Sequence, residues 1–315
     1  MVDIRPYQGG DEAAVIALWN LTMQRDPLDE ATFRAKVLLD SNFRAENLLV
    51  AEDQGLLVGF VLGLLRRVPL FLQGLESDRA WITAFGVHPR YRRQGIARHL
   101  FAQTAANLCG RRLLISPYTP NYFIPGVDTE AYPEAMAFLR AEGWQAISEP
   151  IAMRADLDGF RVPAGIEELA ESLKAGRQTA VRPVRPSDFH LLMPFIADHF
   201  GWDWFRLAQE CLLEMFGPGS DQVGMLVAAQ GEQIVGYCQY RRERFGPFGV
   251  HPDLRGQGIG TVLLHQGLAA MLAQGFHCAW FLWTGSDAAR LYRRAGFRQV
   301  RQFAIMSKPS AQEKA

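Results

Sequence analysis

The chain has 315 residues, of which 49% are hydrophobic and 21% are charged. This length is typical of two domains of ordinary size, and the composition excludes global disorder. The 33 Lys and Arg residues are balanced by 33 Asp and Glu residues, so the chain lacks the basic surplus of a dedicated nucleic-acid-binding protein. The four cysteines form no Cys-x-x-Cys pair and no Cys/His cluster with zinc spacing, and we therefore expect no metal site.

The apolar segments are too short for a membrane protein. The longest apolar run, Leu56–Leu65, ends at Arg66 and cannot span a bilayer. The first six residues contain no apolar signal core. We therefore expect a soluble, cytoplasmic protein without a membrane partner.

The elements predicted in chain order form a series that occurs twice. Each copy begins with a short strand and continues with two helices, a hairpin, a strand ending in Val-x-Pro, a glycine-rich turn that opens a helix, a further strand, a last helix and a closing strand. This order indicates the α+β class, with a mixed sheet in each copy. The predicted elements of the first copy include Asp3–Pro6, Asp11–Gln24, Glu30–Leu39, Asn47–Glu52, Leu56–Leu65 and Arg112–Pro117. Their counterparts in the second copy are Thr179–Val184, Asp188–Phe200, Trp202–Phe216, Gly224–Ala229, Gln233–Arg241 and Ala279–Thr284.

Matching residues give the register of the repeat. Arg5 and Asp11 match Arg182 and Asp188 at a spacing of 177 residues, and the glycine-rich turns match at a spacing of 163 residues. Two copies of one fold explain this pattern. We predict an N-terminal domain at residues 1–158, a linker at 159–178, a C-terminal domain at 179–309 and a flexible tail at 310–315. Gly165–Lys174 has helical spacing, so the linker is predicted to be an ordered helix.

Each copy contains a glycine-rich turn between a strand and a helix. The turn consists of Arg255, Gly256, Gln257, Gly258, Ile259 and Gly260 in the C-terminal copy, and of Arg92, Arg93, Gln94, Gly95, Ile96 and Ala97 in the N-terminal copy. Glycines let backbone N–H groups approach an anion closely, and a helix N-terminus adds partial positive charge. The pattern therefore predicts a phosphate-binding turn in each copy.

With these motifs the chain resembles the GNAT superfamily of N-acetyltransferases. The family's Arg/Gln-x-x-Gly-x-Gly/Ala signature stands at Arg255–Gly260 and again at Arg92–Ala97. Its second signature, Ala-x-x-Leu-Tyr-x-x-x-Gly-Phe, stands at Ala288–Phe297. The resemblance implies two tandem GNAT-type domains, acetyl-CoA or another acyl-CoA as cofactor, and acyl transfer to an amine. It also implies that the two turns hold the CoA pyrophosphate.

The resemblance implies roles for further groups beside the turns. The backbone N–H groups near Val250 and Val87 correspond to the group that holds the thioester carbonyl in this family. Tyr292 corresponds to the tyrosine that protonates the departing thiolate, and the alternative is a core tyrosine. Glu243, seven residues before Val250, is a candidate general base. The alternatives are that Glu243 is a solvated charge and that the base is water-mediated or absent.

The chain departs from the family pattern in both copies. Gly285 stands where members often carry an Asn that reaches the cofactor. In the N-terminal copy Leu139 takes the place of the motif tyrosine, so this copy either binds CoA without turnover or uses another acid, such as Tyr122 or Tyr132. The extra loop Tyr118–Asp128 lines a substrate pocket in one interpretation and covers a sheet edge in the other.

The leading hypothesis is an acetyl-CoA-dependent N-acetyltransferase that acetylates the amine of a small molecule in its C-terminal domain. The loop His199–Trp204, which carries Asp203, either shapes an acceptor pocket suited to a cationic amine or only joins two helices. An alternative acceptor is a protein lysine or N-terminus. Two other hypotheses are that the N-terminal domain carries the chemistry and that the chain is a non-catalytic acyl-CoA-binding sensor. The oligomeric state does not follow from the sequence.

Overall fold

The computed structural model describes residues 2–218 and 222–309. The chain divides into two compact units: unit 1 consists of Met1–Pro150 and Gln302–Ala315, and unit 2 consists of Ile151–Arg301. The predicted tail at 310–315 lies outside the described residues. Each unit combines a mixed sheet with helices, which confirms the predicted α+β class.

The helices and strands follow one another in the order expected of a repeated fold. The strands are β1 (Asp3–Pro6), β2 (Leu48–Asp53), β3 (Leu56–Leu64), β4 (Arg79–Val87), β5 (Arg112–Ile115), β6 (Val127–Asp128), β7 (Gln145–Ser148), β8 (Ile151–Asp156), β9 (Thr179–Pro183), β10 (Val223–Gln230), β11 (Gln233–Arg241), β12 (Arg244–Val250), β13 (Cys278–Thr284) and β14 (Arg298–Lys308). The helices are α1 (Glu12–Thr22), α2 (Glu30–Phe33, followed by a π-helical turn, Arg34–Leu38), α3 (Ile96–Asn107), α4 (Pro133–Ala141), α5 (Ala164–Arg177), α6 (Phe189–Phe200), α7 (Trp202–Phe216), α8 (Ile259–Ala273) and α9 (Ser286–Arg294). No helix in the described ranges is long and apolar enough to cross a membrane.

The sheet of unit 1 runs in the order β1-β2-β3-β4-β5-β14, and β6 and β7 also pair with β14. Its strand pairs are antiparallel except for β4 and β5. α3 and α4 pack on one face, where Leu100 and Leu139 are fully buried. On the other face, Trp19 of α1 stacks on Phe60 of β3 with ring centroids 5.4 Å apart.

The sheet of unit 2 runs in the order β9-β10-β11-β12-β13-β8, and β12 and β13 form its parallel pair. One face is covered by α5, α8 and α9, which contribute Leu173, Leu263 and Ala289 to a shared core. The other face is covered by α6 and α7, which contribute Leu192 and Ala208 to a second core.

An ion pair at the first predicted strand of each copy supports the duplication. The Arg5 guanidinium contacts the Asp11 carboxylate at 2.7 Å, and Arg182 contacts Asp188 at 2.6 Å. Each carboxylate also accepts the backbone N–H of the residue three positions before it. The matching residues make the same local structure, as expected for two copies of one fold.

The closing strands do not follow the predicted domain boundaries. β8 pairs with β13 in unit 2, where Met153 lies opposite Phe281, although the prediction assigns these residues to the N-terminal domain. The last part of β14 pairs with β5 in unit 1, where Met306 lies opposite Ile115. Both strands are apolar enough to close either sheet, and a strand pattern does not specify its partner. The boundaries at 1–158 and 179–309 therefore do not coincide with the compact units.

The linker segment forms α5, which is part of unit 2. Leu169 and Leu173 lie on its apolar side and pack on the core of that unit. Pro163 precedes its first turn, where the missing N–H of a proline costs nothing. The segment is thus a structural element of unit 2 rather than a free spacer.

We expect Met306→Ala to destabilise unit 1 and Met153→Ala to destabilise unit 2. Both side chains are fully buried, and truncating a buried methionine to alanine costs about 2–5 kcal/mol. Hydrogen exchange followed by mass spectrometry should show faster exchange in β5 for the first variant and in β13 for the second. Faster exchange of β13 with β5 unchanged in Met306→Ala would contradict the placement of β14 in unit 1.

We expect acid to weaken both units through their paired carboxylates. The hydrogen bonds from Arg5 hold the pKa of Asp11 below its usual range, and those from Arg182 do the same to the pKa of Asp188. Because each folded pKa lies below the unfolded value of about 3.9, the stabilisation is fully present above that pH and is lost as the pH falls through the folded pKa. Asp188→Asn should lower Tm at pH 7 and flatten the fall of Tm below about pH 4. Calorimetric Tm profiles that run parallel for variant and wild type would contradict this.

Candidate active site

Each unit contains one pair of parallel strands that separate toward their carboxyl ends. In unit 2, β12 pairs with β13 at Arg244 and Trp280 and then continues to Val250 alongside β11. In unit 1, the register of β4 with β5 runs as far as Ile82 and Ile115. We call the gap between the separating strands the opening of each unit. It exposes backbone groups in the middle of a sheet, where they are otherwise paired.

A β-bulge lies at the start of each opening. In unit 2, Gln239 of β11 faces two residues of β12, Gly246 and Pro247. In unit 1, Thr83 is the extra residue of β4, and its buried hydroxyl has no hydrogen-bond partner among the described residues. A bulge bends its strand and increases the local twist, which accounts for the separation of β12 and β4 from their parallel neighbours.

Backbone N–H groups point into both openings. The His251 N–H donates to the Val235 carbonyl at 2.8 Å, which turns that peptide toward β11. Because successive residues of a strand face opposite edges, the N–H of Val250 points into the opening of unit 2. His88 makes the equivalent bond at 2.8 Å in unit 1, and Val87 takes the equivalent place. Both valine N–H groups are therefore available to a carbonyl in the opening.

The turns that follow these strands have the same backbone shape in both units. Gly256 and Gly258 have φ values of 75° and 90°, and Arg93 and Gly95 have φ values of 64° and 83°. This left-handed region suits glycine, and Arg93 adopts it at a cost because of its Cβ. The same turn thus forms twice although only one copy has both glycines.

Arg255 and Arg92 link each turn to the strand before it by a hydrogen bond. The Arg255 Nε donates to the Val250 carbonyl at 3.3 Å, and the Arg92 Nε donates to the Val87 carbonyl at 3.2 Å. Arg92 also pairs with the carboxylate of Glu134. Each guanidinium adds positive charge beside its turn and is held in place by the strand.

The helix after each turn presents free N–H groups at its N-terminus. The first helical hydrogen bond of α8 runs from the Val262 N–H to the Gly258 carbonyl at 3.1 Å, and α3 begins with the equivalent bond at the same length. N–H groups ahead of that bond have no acceptor within the helix. They are those of Ile259, Gly260 and Thr261 in α8 and of Ile96, Ala97 and Arg98 in α3. Helix N-termini of this kind bind phosphate groups.

A glutamine reaches back over each turn. The Gln257 Nε2 donates to the Asp253 carbonyl at 3.3 Å, and the Gln94 Nε2 donates to the Arg90 carbonyl at 3.2 Å. In unit 2 the Gln257 Oε1 also accepts from Arg177, at the end of α5. The two glutamines therefore offer matched positions at which the charge beside each turn can be changed.

The surroundings of the two turns differ. In unit 2, Leu169 of α5 lies 3.0 Å from the position that a Cβ on Gly258 would take. In unit 1, the nearest described atom to a Cβ on Gly95 belongs to the His99 ring, 3.9 Å away. A larger residue at Gly258 would meet α5 within the protein itself. Such a substitution therefore tests packing, and it does not isolate the phosphate contact that the sequence predicts.

Tyr292 lies on α9 beside the opening of unit 2. Its ring centroid is 4.4 Å from that of Phe281 in β13 and 6.0 Å from that of Phe248 in β12, so it contacts both separating strands. Burial raises the pKa of its hydroxyl above the usual range, which keeps the hydroxyl protonated at neutral pH. The corresponding residue of α4 in unit 1, Leu139, is fully buried and has no proton to give.

Glu243 lies away from the other candidate residues. It is in the hairpin turn between β11 and β12, and its carbonyl accepts the Trp280 N–H at 2.9 Å where β12 and β13 are still paired. Its carboxylate contacts Cys278, and burial together with this contact raises the pKa of the Cys278 thiol to about 11. Val250 lies seven residues further on, about 20 Å along an extended strand. Glu243 is therefore poorly placed to deprotonate an amine near Val250.

Hydrogen bonds hold the tyrosines in and just after the extra loop Tyr118–Asp128 of unit 1. The Tyr132 hydroxyl donates to the Asp26 carboxylate at 2.6 Å, and the fully buried Tyr118 donates to Asp40 at 3.0 Å. Tyr122 is held through its backbone carbonyl, which accepts a lysine ammonium at 3.0 Å. The loop ends in β6, which pairs with β14. These contacts favour the interpretation that the loop covers the sheet of unit 1.

Asp203, predicted to lie in a loop, is in the first turn of α7 and already has a partner. Asp203 pairs with Arg206 at 2.9 Å, and Arg206 also contacts Glu210 at 2.6 Å. Asp203 is therefore not free to attract a cationic amine, as one interpretation of the sequence requires. The rings of His199 and His251 lie 4.4 Å apart. Among the described residues, no group of three or more His, Cys, Asp or Glu side chains could hold a metal ion.

Sequence reasoning did not single out Tyr237, Gln239 or Leu169, which lie close to the opening or the turn of unit 2. Tyr237 and Gln239 stand where unit 1 has Phe60 and Leu62 in the repeat register. A residue-by-residue comparison of the two copies would have marked this change from apolar to polar. Leu169 gave no such signal because the linker has no counterpart in the first copy.

Two family models match the chain. Both are described as acetyltransferase (GNAT) domains, and they match residues 3–123 and residues 221–299. Among curated proteins, a mycothiol acetyltransferase from Parafrankia sp. (strain EAN1pec) is 35% identical over 101 residues. This match covers 30% of the chain and 30% of the relative's length.

Solved structures share the fold at low sequence identity. A glucosamine N-acetyltransferase region of a fungal multi-domain GH3 β-N-acetylglucosaminidase matches with a TM-score of 0.75 and 19% identity, over 98% of this chain and 38% of that one. A tandem GNAT protein from the clavulanic acid biosynthesis pathway matches with a TM-score of 0.62 and 16% identity, over 98% of both chains. The two domain matches lead to one conclusion: the chain belongs to the GNAT acetyltransferase family and carries two GNAT domains.

Proposed function

We propose that the chain transfers an acetyl group from acetyl-CoA to the amine of a small molecule, and that unit 2 carries out the chemistry. The observation that carries this proposal is the position of Tyr292, a protonated hydroxyl group in contact with both strands of an opening that ends in a phosphate-binding turn. Unit 1 has the same opening and turn without such a hydroxyl group. Mycothiol and glucosamine, named for the relatives above, are small molecules and favour the same acceptor class.

The residues of unit 2 fit acetyl-CoA. The N–H groups of Ile259 and Gly260 at the start of α8, with the Arg255 guanidinium beside them, suit its pyrophosphate. The Val250 N–H faces the opening and suits the carbonyl of its acyl group. The turn lies at the end of β12, so phosphate and acyl contacts follow one another along a single strand and helix.

Bound acetyl-CoA supplies an activated acetyl group and a thiolate leaving group. Tyr292 holds the proton that this sulfur needs, because burial keeps its hydroxyl protonated and the rings of Phe281 and Phe248 fix its orientation. The Val250 N–H stabilises negative charge on the acyl oxygen as the amine attacks. We assign no side chain to the removal of the amine proton, since Glu243 lies at the far end of β12, and water takes that proton.

Unit 1 has the features of a CoA-binding site but lacks the motif tyrosine. Its turn is exposed and its helix N-terminus has the same free N–H groups as that of unit 2, while Leu139 replaces the tyrosine. We infer that unit 1 binds CoA without turning it over.

One observation favours a second candidate function. Leu169 of α5 lies against the turn of unit 2, whereas nothing comparable lies against Gly95 in the described part of unit 1. In an acyl-CoA sensor, unit 1 would be the binding site and unit 2 a structural partner. Separate disruption of the two turns distinguishes this candidate from the enzyme.

We expect Tyr292→Phe to lower kcat by about a hundredfold or more, because general acid catalysis typically contributes at least that factor. The phenyl ring keeps the contacts with Phe281 and Phe248, so CoA affinity should stay within about threefold of wild type. Release of free thiol from acetyl-CoA measures kcat, and calorimetric titration measures affinity. The control is Tyr132→Phe, which removes a hydroxyl group from unit 1 and should leave kcat unchanged. Equal kcat for Tyr292→Phe and wild type would remove Tyr292 from the mechanism.

We expect Gln257→Glu and Gln94→Glu each to remove one of two CoA sites. The new carboxylate stands beside a helix N-terminus, where it stabilises the helix but repels the pyrophosphate of CoA. This stabilisation offsets the loss of the exposed hydrogen bond from the glutamine Nε2, so Tm should change little, while titration calorimetry with CoA should show one site in place of two. Thiol release should be lost in Gln257→Glu. Loss of all CoA binding in Gln94→Glu, with Gln257→Glu unaffected, would favour the sensor over the enzyme.

A further inference from the structure

Two buried polar groups of unit 2 have no hydrogen-bond partner among the described residues. They are the Tyr237 hydroxyl and the Gln239 amide oxygen. Tyr237 is 0% exposed and Gln239 is 6% exposed. Burying a polar group without a partner is costly, so native proteins rarely keep one without a reason.

These two groups share one face of β11. Residues two apart on a strand point to the same side, and Tyr237 belongs to the core beneath α6 and α7. The Gln239 Nε2 donates to the Leu207 carbonyl of α7 at 3.2 Å, which fixes the orientation of the amide. The pair is therefore oriented by the fold while its remaining hydrogen-bonding capacity is unused.

The pair lies next to the opening of unit 2. Tyr237 is the register partner of Gly249, and Gln239 faces the bulge at Gly246 and Pro247. The bulge is where β12 leaves β13. A molecule that enters the opening from the side of α6 and α7 would meet these two groups there.

Unit 1 has no such pair. In the repeat register Phe60 replaces Tyr237 and Leu62 replaces Gln239, and both side chains are fully buried. Trp19 stacks on Phe60 with ring centroids 5.4 Å apart. The same backbone thus packs well with apolar residues at both positions. The polar pair is a feature of the unit that also has Tyr292.

Aromatic rings line the same region. Phe200 and Trp204 stack with centroids 5.0 Å apart, and they lie 5.9 Å and 6.3 Å from the Tyr237 ring. The nearby carboxylate of Asp203 is neutralised by Arg206. The surroundings therefore suit a compact apolar skeleton and do not suit a polycation.

We propose that Tyr237 and Gln239 form the acceptor subsite of unit 2, and that the acceptor is a compact amine with an oxygen on the neighbouring carbon. The Gln239 oxygen accepts the amine N–H, and the Tyr237 hydroxyl donates to the acceptor's oxygen. The skeleton packs against Phe200 and Trp204. This inference rests on the proposed acetyltransferase function and names its substrate class.

The subsite lies on the opposite side of the sheet from Tyr292. Tyr237 packs beneath α6 and α7, whereas Tyr292 belongs to the core beneath α8 and α9. An amine held by the pair therefore reaches the opening from one side, and the proton of Tyr292 reaches it from the other. This arrangement keeps the nucleophile and the acid apart.

The first test is stability. Tyr237→Phe and Gln239→Leu introduce the residues that unit 1 itself carries, so no cavity or overpacking is expected. If the Tyr237 hydroxyl is unpaired in the free protein, Tyr237→Phe should raise Tm. Gln239→Leu also loses the hydrogen bond to the Leu207 carbonyl, so its Tm does not test the amide oxygen. A lower Tm in Tyr237→Phe would show that the hydroxyl already has a partner in the fold, which would overturn the proposal.

The second test uses two matched probes, 2-phenylglycinol and 1-phenylethylamine, which differ by one hydroxyl group. In thiol-release assays the wild type should favour 2-phenylglycinol at least tenfold in kcat/KM. Tyr237→Phe should abolish this preference, and Gln239→Leu should raise KM at least tenfold for both amines. KM for acetyl-CoA should stay the same in both variants. Spermidine should be a poor substrate throughout.

Three outcomes would overturn the subsite. They are equal kcat/KM for the two probes in the wild type, a preference that survives in Tyr237→Phe, and no turnover of either probe when another amine is acetylated. Absence of thiol release with every amine would instead overturn the proposed function. Thr104→Val is the control, because it removes a buried unpaired hydroxyl from unit 1 and should leave the kinetics unchanged.

Discussion

The separation of β12 from β13 is the constraint on which the rest of unit 2 depends. A parallel strand pair in the middle of a sheet is normally closed by hydrogen bonds, and the bulge at Gly246 and Pro247 opens it. The opening exposes the Val250 N–H and leads directly to the glycine-rich turn, while Tyr292 contacts both separated strands. The groups that would contact the acyl carbonyl, the phosphates and the leaving group thus all lie beside one break in the sheet.

A comparison of the two units shows which features of this arrangement depend on the backbone and which depend on side chains. Both have the bulge, the opening and the left-handed turn, although Arg93 stands in unit 1 where Gly256 stands in unit 2. The side chains around the openings have diverged, as Leu139 against Tyr292 illustrates. A duplicated backbone with unequal side chains is what the proposal of two CoA-binding sites and one reaction requires.

Much of this could be predicted from sequence because it is local. The two turns follow from the Arg-x-x-Gly-x-Gly/Ala signature, and the ion pairs at β1 and β9 follow from residues six apart. The closing strands could not be assigned, since a strand pattern carries no information about its partner. Glu243 was a plausible general base from the sequence alone. Its distance from Val250 depends on how far β12 extends, which the sequence does not give. The contact of Leu169 with the turn depends on the docking of α5, which no repeat register reveals.

The most direct test of the central claim is a crystal structure of the protein with CoA. If unit 2 carries out the chemistry, the CoA sulfur should lie within about 3.5 Å of the Tyr292 hydroxyl, with the pyrophosphate at the N–H groups of Ile259 and Gly260. CoA found in unit 1 alone, or a sulfur remote from Tyr292 in unit 2, would contradict the account.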